Sequence, residues 1–531
     1  MMQNHAVSSL IADALAHEQH GRWPEMERCV RAALAQAPDH ADALFALARL
    51  AMRASRFSAA LDLCDRAIAV APQAPQLHRT RAAALANMGR LDEGCAALFH
   101  TLSLAPDWGD AACDLGRLLF QAERLDQMLA LLAPFDLAAA HILRGQALMV
   151  LGRMDEAETA FTRARDLAPN DPEASFGLAS VHIEQDRPQE VLDLVEPLIA
   201  TSGEHNRLIY LRAVSKGMLG REAEAETDTV KLREAMLGQL ARRNNLPAEV
   251  FVQLSRRCNL RCTMCGHEVW KDLSGFMSDE VFSRVLAECE TSGIRTMTIL
   301  AAQGEPFLHP RAFEMMEAAV AKGLAVTVVT NGTPFTPEKI QRLARLGLAN
   351  LQFSFAGWDA HSYESVYVGA KFDRAVKTLQ AINMALKPTN TSFIVKAVAP
   401  DNSEDYVTRT RAFLNGLGID RVNTVAPNNF GGTVQLGQLW DKQGIWSYRN
   451  LAKHRRTVCR VLMRAVGIYV DGSVTACGCY DANAALRIGD IMAESLSDIR
   501  NGQRFTSILE AFRQGDVSAL PLCSKCDDPF G

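Results

Sequence analysis

Three prolines, Pro38, Pro72 and Pro106, stand 34 residues apart. Each opens a version of the same phrase: AQAPDHADALFALA, AVAPQAPQLHRTRA, SLAPDWGDAACDLG. No other feature restricts the fold as much, because a period of that length marks one supersecondary unit that must stack on its neighbours. A fourth copy, DLAPNDPEASFGLA, carries Pro169, and its gap of 63 from Pro106 leaves a shortened unit near 107–137. The stretches ANMGRLDEGCAAL and MVLGRMDEAETAF each place Gly-Arg where one helix turns into the next. Abundant alanine lets such helices cross closely. The pattern predicts about 235 residues of antiparallel helix pairs in six or seven units, some degenerate. Each unit buries its apolar face on the next, building a superhelix with a concave groove.

This period and its turns resemble the tetratricopeptide repeat. The resemblance implies an all-α solenoid over 1–237 whose groove docks a peptide, protein or carrier-protein partner. A dimerisation or purely structural arm is the alternative. GQLARRNNLPAE, 238–249, reads as the joint to the next domain.

After the joint the texture changes to alternating strands and helices. EVFVQLS, TMTILAA, AVTVVT, NLQFSFA, TSFIVKAVA and IDRVNTVAP read as strands. Helical segments lie between them, among them SDEVFSRVLAECETSG with Ser278 as N-cap and PRAFEMMEAAVAKG ending at Gly323. Repeated βα units mean a parallel sheet with helices outside, here a partial (βα)6 barrel over 250–430. Its chemistry belongs at the C-terminal ends of the strands. Residues 431–531 read as a small Cys-rich α+β domain after an irregular stretch to about 458.

Hydrophobic content of 48%, charged content of 22% and a net charge of −5 are those of a globular protein with no pull toward nucleic acid or an anionic membrane. The first residues are polar, without an apolar core of signal-peptide length, and no apolar run approaches a membrane span. The expectation is a cytoplasmic protein. Its 13 cysteines then point to metal or catalysis rather than disulfides. Cys29, Cys64, Cys95, Cys113 and Cys289 stand apart and read as small buried hydrophobes. The others form two groups.

Cys258, Cys262 and Cys265 follow the first strand with C-x3-C-x2-C spacing. A structural zinc site closes with four ligands, usually in paired C-x2-C spacings. Three thiolates on one loop suit three irons of a cubane cluster, leaving one iron open. His267 is close by in sequence, but proximity alone does not make it a ligand, and a structural iron–sulfur or zinc loop is the alternative. At these residues the chain resembles the radical SAM superfamily. CNLRCTMC matches that family's cysteine loop, with Met264 where an aromatic residue is common. QGEPFLHP, with Gln303, Gly304 and Glu305, resembles its Gly-Gly-Glu-Pro turn. VVTNGT, with Asn331 and Gly332, matches its third-strand end, and LQFSFAG, with Ser354, its fourth strand. HSYESVYVGAKFDRAVKTL continues the pattern.

The resemblance implies a [4Fe–4S] cluster whose open iron chelates S-adenosylmethionine. It implies one-electron cleavage to methionine and a 5′-deoxyadenosyl radical, and hydrogen abstraction from a substrate. Met264, Gln303, Gly304, Glu305, Asn331 and Ser354 are the implied cofactor contacts, with Glu305 and nearby carbonyls accepting from the methionine ammonium. The family also implies a reductant such as flavodoxin or ferredoxin.

The second group comprises Cys459, Cys477, Cys479, Cys523 and Cys526. GIYVDGSVTAC reads as a hairpin turning at Asp471-Gly472, which brings Cys459 and Cys477 together. C-x12-G-x4-C followed by C-x2-C resembles the SPASM and twitch auxiliary-cluster domains. The resemblance implies one auxiliary [4Fe–4S] cluster on Cys459, Cys477, Cys523 and Cys526, for electron relay or substrate positioning, with Cys479 spare. A four-thiolate zinc site fits the spacing as well. The expected function is radical chemistry on a peptide or protein held by the arm. The same chemistry on a sugar, aminoglycoside or nucleotide derivative, and an inactive scaffold, are the alternatives. Lys396, Asn423, Asn428 and Asn429 lie at or after late strands, but no general base stands out.

Overall fold

The computed structural model describes residues 2–88, 90–122, 124–169, 171–203, 205–265, 274–300, 304–399, 404–425, 458–478, 480–481 and 483–526. The chain forms two compact units, Met1–Gly177 and Leu178–Gly531.

The first unit is helical throughout, and its helices pair as the period requires. Ala41–Arg53 packs on Phe57–Val70, Pro75–Asn87 on Leu91–Leu104, and Ala138–Val150 on Met154–Leu167. Alanines and leucines such as Ala82, Leu85, Ala111 and Leu115 are fully buried between them. A second period sets where the helices start. Arg22, Arg56, Arg90 and Arg124, 34 residues apart, each stand just before the second helix of a pair. Arg153 comes five residues early, and the eight-residue helix Leu125–Leu132 is where the shortened unit lies. Where glutamate stands three positions on, the arginine forks onto it: Arg90 holds Glu93 at 2.6 and 2.7 Å, and Arg153 holds Glu156 likewise. Cys64, Cys95 and Cys113 are buried in this packing and Cys29 half-buried.

The second unit begins with more helices of the same kind. Arg187 and Arg221 extend the period and grip Glu190 and Glu224. Then comes, among the described residues, one nine-stranded sheet: β1 Glu249–Val252, β2 Thr296–Ile299, β3 Ala325–Thr330, β4 Asn350–Phe355, β5 Ser392–Val398, β6 Val422–Val425, β7 Ala465–Ile468, β8 Ser473–Thr475 and β9 Arg487–Asp490. The order is β6-β5-β4-β3-β2-β1-β7-β8-β9. β1 to β6 pair in parallel, as βα units demand. β7 also pairs in parallel with β1, with Val250 beside Val466, so the C-terminal strands extend the same sheet. β7 and β8 form the expected hairpin around Asp471-Gly472. Val250, Val252, Met297, Ile299, Val326, Val328, Leu351 and Phe353 are all fully buried in the core of the sheet. Ser278 caps the helix Asp279–Thr291, accepting from the Val281 amide at 3.2 Å.

The stretch read as a joint is tied down rather than loose. The helix Glu222–Ala241 packs on Gln503–Gln514, and Arg233 lies against Gly515, which has no side chain to block it. Arg243 donates to the Met463 carbonyl at 2.7 Å. The fully buried Arg500 donates to the carbonyls of Asn245 (2.7 Å) and Leu462 (3.1 Å). These are long-range contacts, which local polarity and a proline do not reveal.

Candidate functional site

The cysteine loop leaves β1 at its C-terminal end and is stitched to three other segments. Met277 donates its amide to the Leu254 carbonyl at 2.9 Å. The Glu305 amide donates to the Arg257 carbonyl at 2.8 Å. Arg261 and Thr263 donate to the carbonyls of Val368 (2.9 Å) and Val366 (3.0 Å). Leu260 is buried beneath the loop, and Cys258, Cys262 and Met264 pack on the same core. The thiols are close neighbours: burial pushes the Cys262 thiol up, and negative charge at Cys265 and Cys258 pushes it further. Among the described residues no three His, Cys, Asp or Glu side chains are already set as a metal-holding group.

The turn after β2 lies against this loop. A Cβ on Gly304 would sit 2.1 Å from the Ser255 carbonyl oxygen and 2.9 Å from that of Arg257, so only glycine lets the two backbones meet. Glu305 is turned inward and has no exposed surface. Its Oε1 accepts from the Thr330 hydroxyl at 2.7 Å and the Phe307 amide at 3.2 Å, and its Oε2 from the Asn331 amide at 2.8 Å. Burial pushes this carboxyl up to about 7, against the three donors that favour its charged form. Its observed partners are therefore the end of β3 and its own turn. His309, the histidine of the QGEPFLHP stretch, ties the far end of the turn. Its Nδ1 accepts from the Arg311 amide at 3.0 Å, so Nε2 carries the proton and donates to the Met277 carbonyl at 2.8 Å. Gln303 and His267 lie outside the described residues.

Asn331 links β3 to the cysteines. Its Nδ2 lies 3.8 Å from the Cys258 sulfur and 3.4 Å from Asn259 Oδ1, while its Oδ1 accepts from the Thr333 amide and hydroxyl. Gly332 follows at φ +73, where a Cβ would enter the Phe353 ring. On β4 the odd positions Leu351, Phe353 and Phe355 are fully buried, whereas Ser354 stands on the other, half-buried face. It pairs with Lys396 on β5, which pairs with Asn423 on β6. Ser354, Lys396 and Asn423 thus form one polar row across neighbouring strands. Asn428 and Asn429 lie outside the described residues.

Three cysteines of the second group lie near one another. Cys459 caps the helix Arg460–Arg464, its sulfur accepting from the Leu462 amide at 3.4 Å. Burial pushes its thiol up to about 12, and Cys523 and Cys526 add to the rise. Cys523 is likewise pushed up to about 12 by burial, then by Cys526 and Asp481. These three therefore lie together. Cys477 follows β8, its carbonyl beside Gly467 of β7. Cys479 lies outside the described residues.

Family models match the chain in three places. Residues 11–76 and 142–194 match the tetratricopeptide repeat, 252–408 the radical SAM superfamily, and 459–527 an iron–sulfur cluster-binding domain, SPASM. The chain carries a radical SAM domain. That family implies a [4Fe–4S] cluster with S-adenosylmethionine, and the SPASM match implies auxiliary iron–sulfur clusters. The residues present fit these groups. Three neighbouring thiols share one loop, and a turn closed to any Cβ adjoins it. The tungsten-containing aldehyde ferredoxin oxidoreductase cofactor-modifying protein of Pyrococcus furiosus is 35% identical over 105 residues, 20% of this chain and 30% of that one. The PqqA peptide cyclase of Rhodopseudomonas palustris is 29% identical over 124 residues, 23% of this chain and 32% of that one. Streptococcus suis SuiB bound to precursor peptide SuiA superposes at a TM-score of 0.42 with 14% identity, over 63% of this chain and 83% of that one. The chain spans about a fifth to a half of the length of the curated relatives it matches.

Proposed function

We propose that this protein is an S-adenosylmethionine-dependent iron–sulfur enzyme that acts on a peptide or protein substrate. The observation that carries it is the cysteine loop of 258–265, fixed at the C-terminal edge of a parallel sheet and stitched to the Gly304–Glu305 turn. Cys258, Cys262 and Cys265 hold three irons of the cluster. When bound, that cluster and S-adenosylmethionine supply the one-electron cleavage that yields a 5′-deoxyadenosyl radical.

The chain's own residues position the parts. Gly304 brings the turn against the loop, and Glu305 locks that turn to β3. Backbone carbonyls of the turn and Glu305 would accept from a methionine ammonium. Ser354, Lys396 and Asn423 line one face toward the strand ends and orient polar groups of cofactor or substrate. Cys459, Cys523 and Cys526, with Cys477, hold the auxiliary cluster.

A peptide substrate is supported by the named activity of the matched PqqA peptide cyclase and by the repeat arm, whose groove suits an extended chain. The cofactor-modifying relative supports a second reading, a small-molecule substrate with the arm recruiting a partner protein. One experiment separates the two. Reconstituted enzyme, S-adenosylmethionine and dithionite are incubated with the low-mass fraction of a cell extract, before and after protease digestion of that fraction. The proposal predicts that extract-dependent 5′-deoxyadenosine formation is lost after digestion. Formation that survives digestion contradicts a peptide substrate.

A further inference from the structure

The helices Pro75–Asn87 and Gly109–Gln121 are the first helices of two successive repeat units, and a cavity of about 310 Å³ lies between them. The buried Leu98 and Leu118 give it an apolar floor. Its rim is polar, with Arg79 and Asn87 from one helix and Asp114, Arg117 and Gln121 from the other. Arg79 Nε donates to Asp114 Oδ2 at 2.7 Å, and Arg117 donates to Asp114 Oδ1 at 2.8 Å. Among the described residues that line the cavity, Asp114 is the one carboxylate, so the rim is one negative charge short. Each guanidinium carries five N–H donors, and Asp114 takes one from each. The two arginine side chains stay 34% and 53% exposed, which leaves donors for a ligand. Arg79 also lies 5.0 Å from the Trp108 ring, which helps hold it in place. The 34-residue period repeats this face. Arg49, Ala83 and Arg117 occupy one position in successive units, and Arg53, Asn87 and Gln121 another. Arg49 is held by Glu18, while Arg53 lies 4.2 Å over the Trp23 ring. Among the described residues, Arg49, Arg53, Arg79 and Arg117 thus share two carboxylate partners, Glu18 and Asp114. Asp42 and Asp110 lie at the starts of these helices, two turns before Arg49 and Arg117. The face is basic in a chain whose net charge is −5.

We propose that this cavity docks an acidic residue of the peptide substrate, its methylenes over Leu98 and Leu118 and its carboxylate between Arg79 and Arg117. The inference rests on the reading that the enzyme acts on a peptide or protein. The physical reason is charge joined to shape. A ligand carboxylate supplies the negative charge the rim lacks and meets two guanidiniums that Asp114 already holds in place, and charge-assisted bonds of this kind are the strong ones. The apolar floor selects a carboxylate that arrives on an aliphatic stem over a free inorganic anion. Gln121 offers an amide, both donor and acceptor, to the backbone of an extended chain.

The test offers a degenerate library of short peptides to immobilised full-length, anaerobically reconstituted protein and sequences the peptides retained. The expected result is an enrichment of Asp and Glu at one aligned position by about tenfold, the size of one charge-assisted contact. The enrichment disappears in the double variant Arg79→Gln, Arg117→Gln. It grows in Asp114→Asn, where the internal competitor for the two arginines is gone. These substitutions fall on partly exposed groups, and circular dichroism should show wild-type helix content in both variants. Retained peptides without acidic enrichment, no retention at all, equal enrichment in the double variant, or a drop in Asp114→Asn overturns the inference. Formation of 5′-deoxyadenosine that survives protease digestion of the extract overturns the peptide reading beneath it, which is a separate outcome.

Discussion

Glu305 shows how one residue's surroundings set its role. Three donors converge on its carboxylate from its own turn and the end of β3, while burial pushes it up to about 7. Relative to an ordinary glutamate at 4.5, the folded protein holds this proton more tightly. Its contribution to stability is therefore full below pH 4.5 and lost as pH rises from there to about 7. In Glu305→Gln that part of the slope disappears from the melting temperature of iron-free protein, and the donor–donor clash at the Asn331 amide costs about 1–3 kcal/mol. An unaltered slope would mean that Glu305 does not titrate in this window. Gly304→Ala forces a methyl onto the Ser255 carbonyl. It should cost about 1–3 kcal/mol and release the turn from the loop, read as a lower melting temperature and reduced iron retention. The cysteine spacing was legible because its meaning is local, with all three thiols on one loop. The direction of Glu305 was not, since Thr330 and Asn331 lie a full βα unit away.

At the scale of elements, hydrophobic periodicity and caps were enough to place much of the barrel. β3 runs over the AVTVVT read from the sequence, and Ser278 caps as expected. Ser278→Ala should lower stability by about 1 kcal/mol, measured by chemical denaturation. The arginine period at helix starts was present in the sequence but overshadowed by the prolines. Its meaning appears only when each side chain reaches the glutamate three residues on. What could not be read was the pairing of β7 with β1, which brings the C-terminal strands into the barrel's sheet across some two hundred residues of chain. Arg500 is the residue that secures that region. Arg500→Ala strips donors from the carbonyls of Asn245 and Leu462 and opens a cavity, for a loss of about 3 kcal/mol or more. Because Leu462 also donates to Cys459, the auxiliary cluster should be lost before the other one, visible as a selective drop in iron and in its resonance signal.

For the whole molecule, the order of parts was readable because each announces itself differently: a 34-residue period, βα alternation and clustered cysteines. The compact units, however, divide at Gly177, inside the helix Pro172–Glu184, and not at the polar stretch near 238. The helix Glu222–Ala241 belongs with the C-terminal region through its packing on Gln503–Gln514. Removing residues up to 235 would cut that contact. The resulting protein should melt lower than one shortened only to 177, as scanning calorimetry would register. The central claim is that three thiols on one loop build a cluster that cleaves S-adenosylmethionine. Its most direct measurement is 5′-deoxyadenosine released from anaerobically reconstituted protein given S-adenosylmethionine and dithionite. The control is the Cys258→Ala, Cys262→Ala, Cys265→Ala triple variant. The account predicts release by the wild type and none by the variant, which keeps the iron of its auxiliary site. Equal release from both, or none from a wild type carrying full iron and supplied with peptide-rich extract, would contradict it.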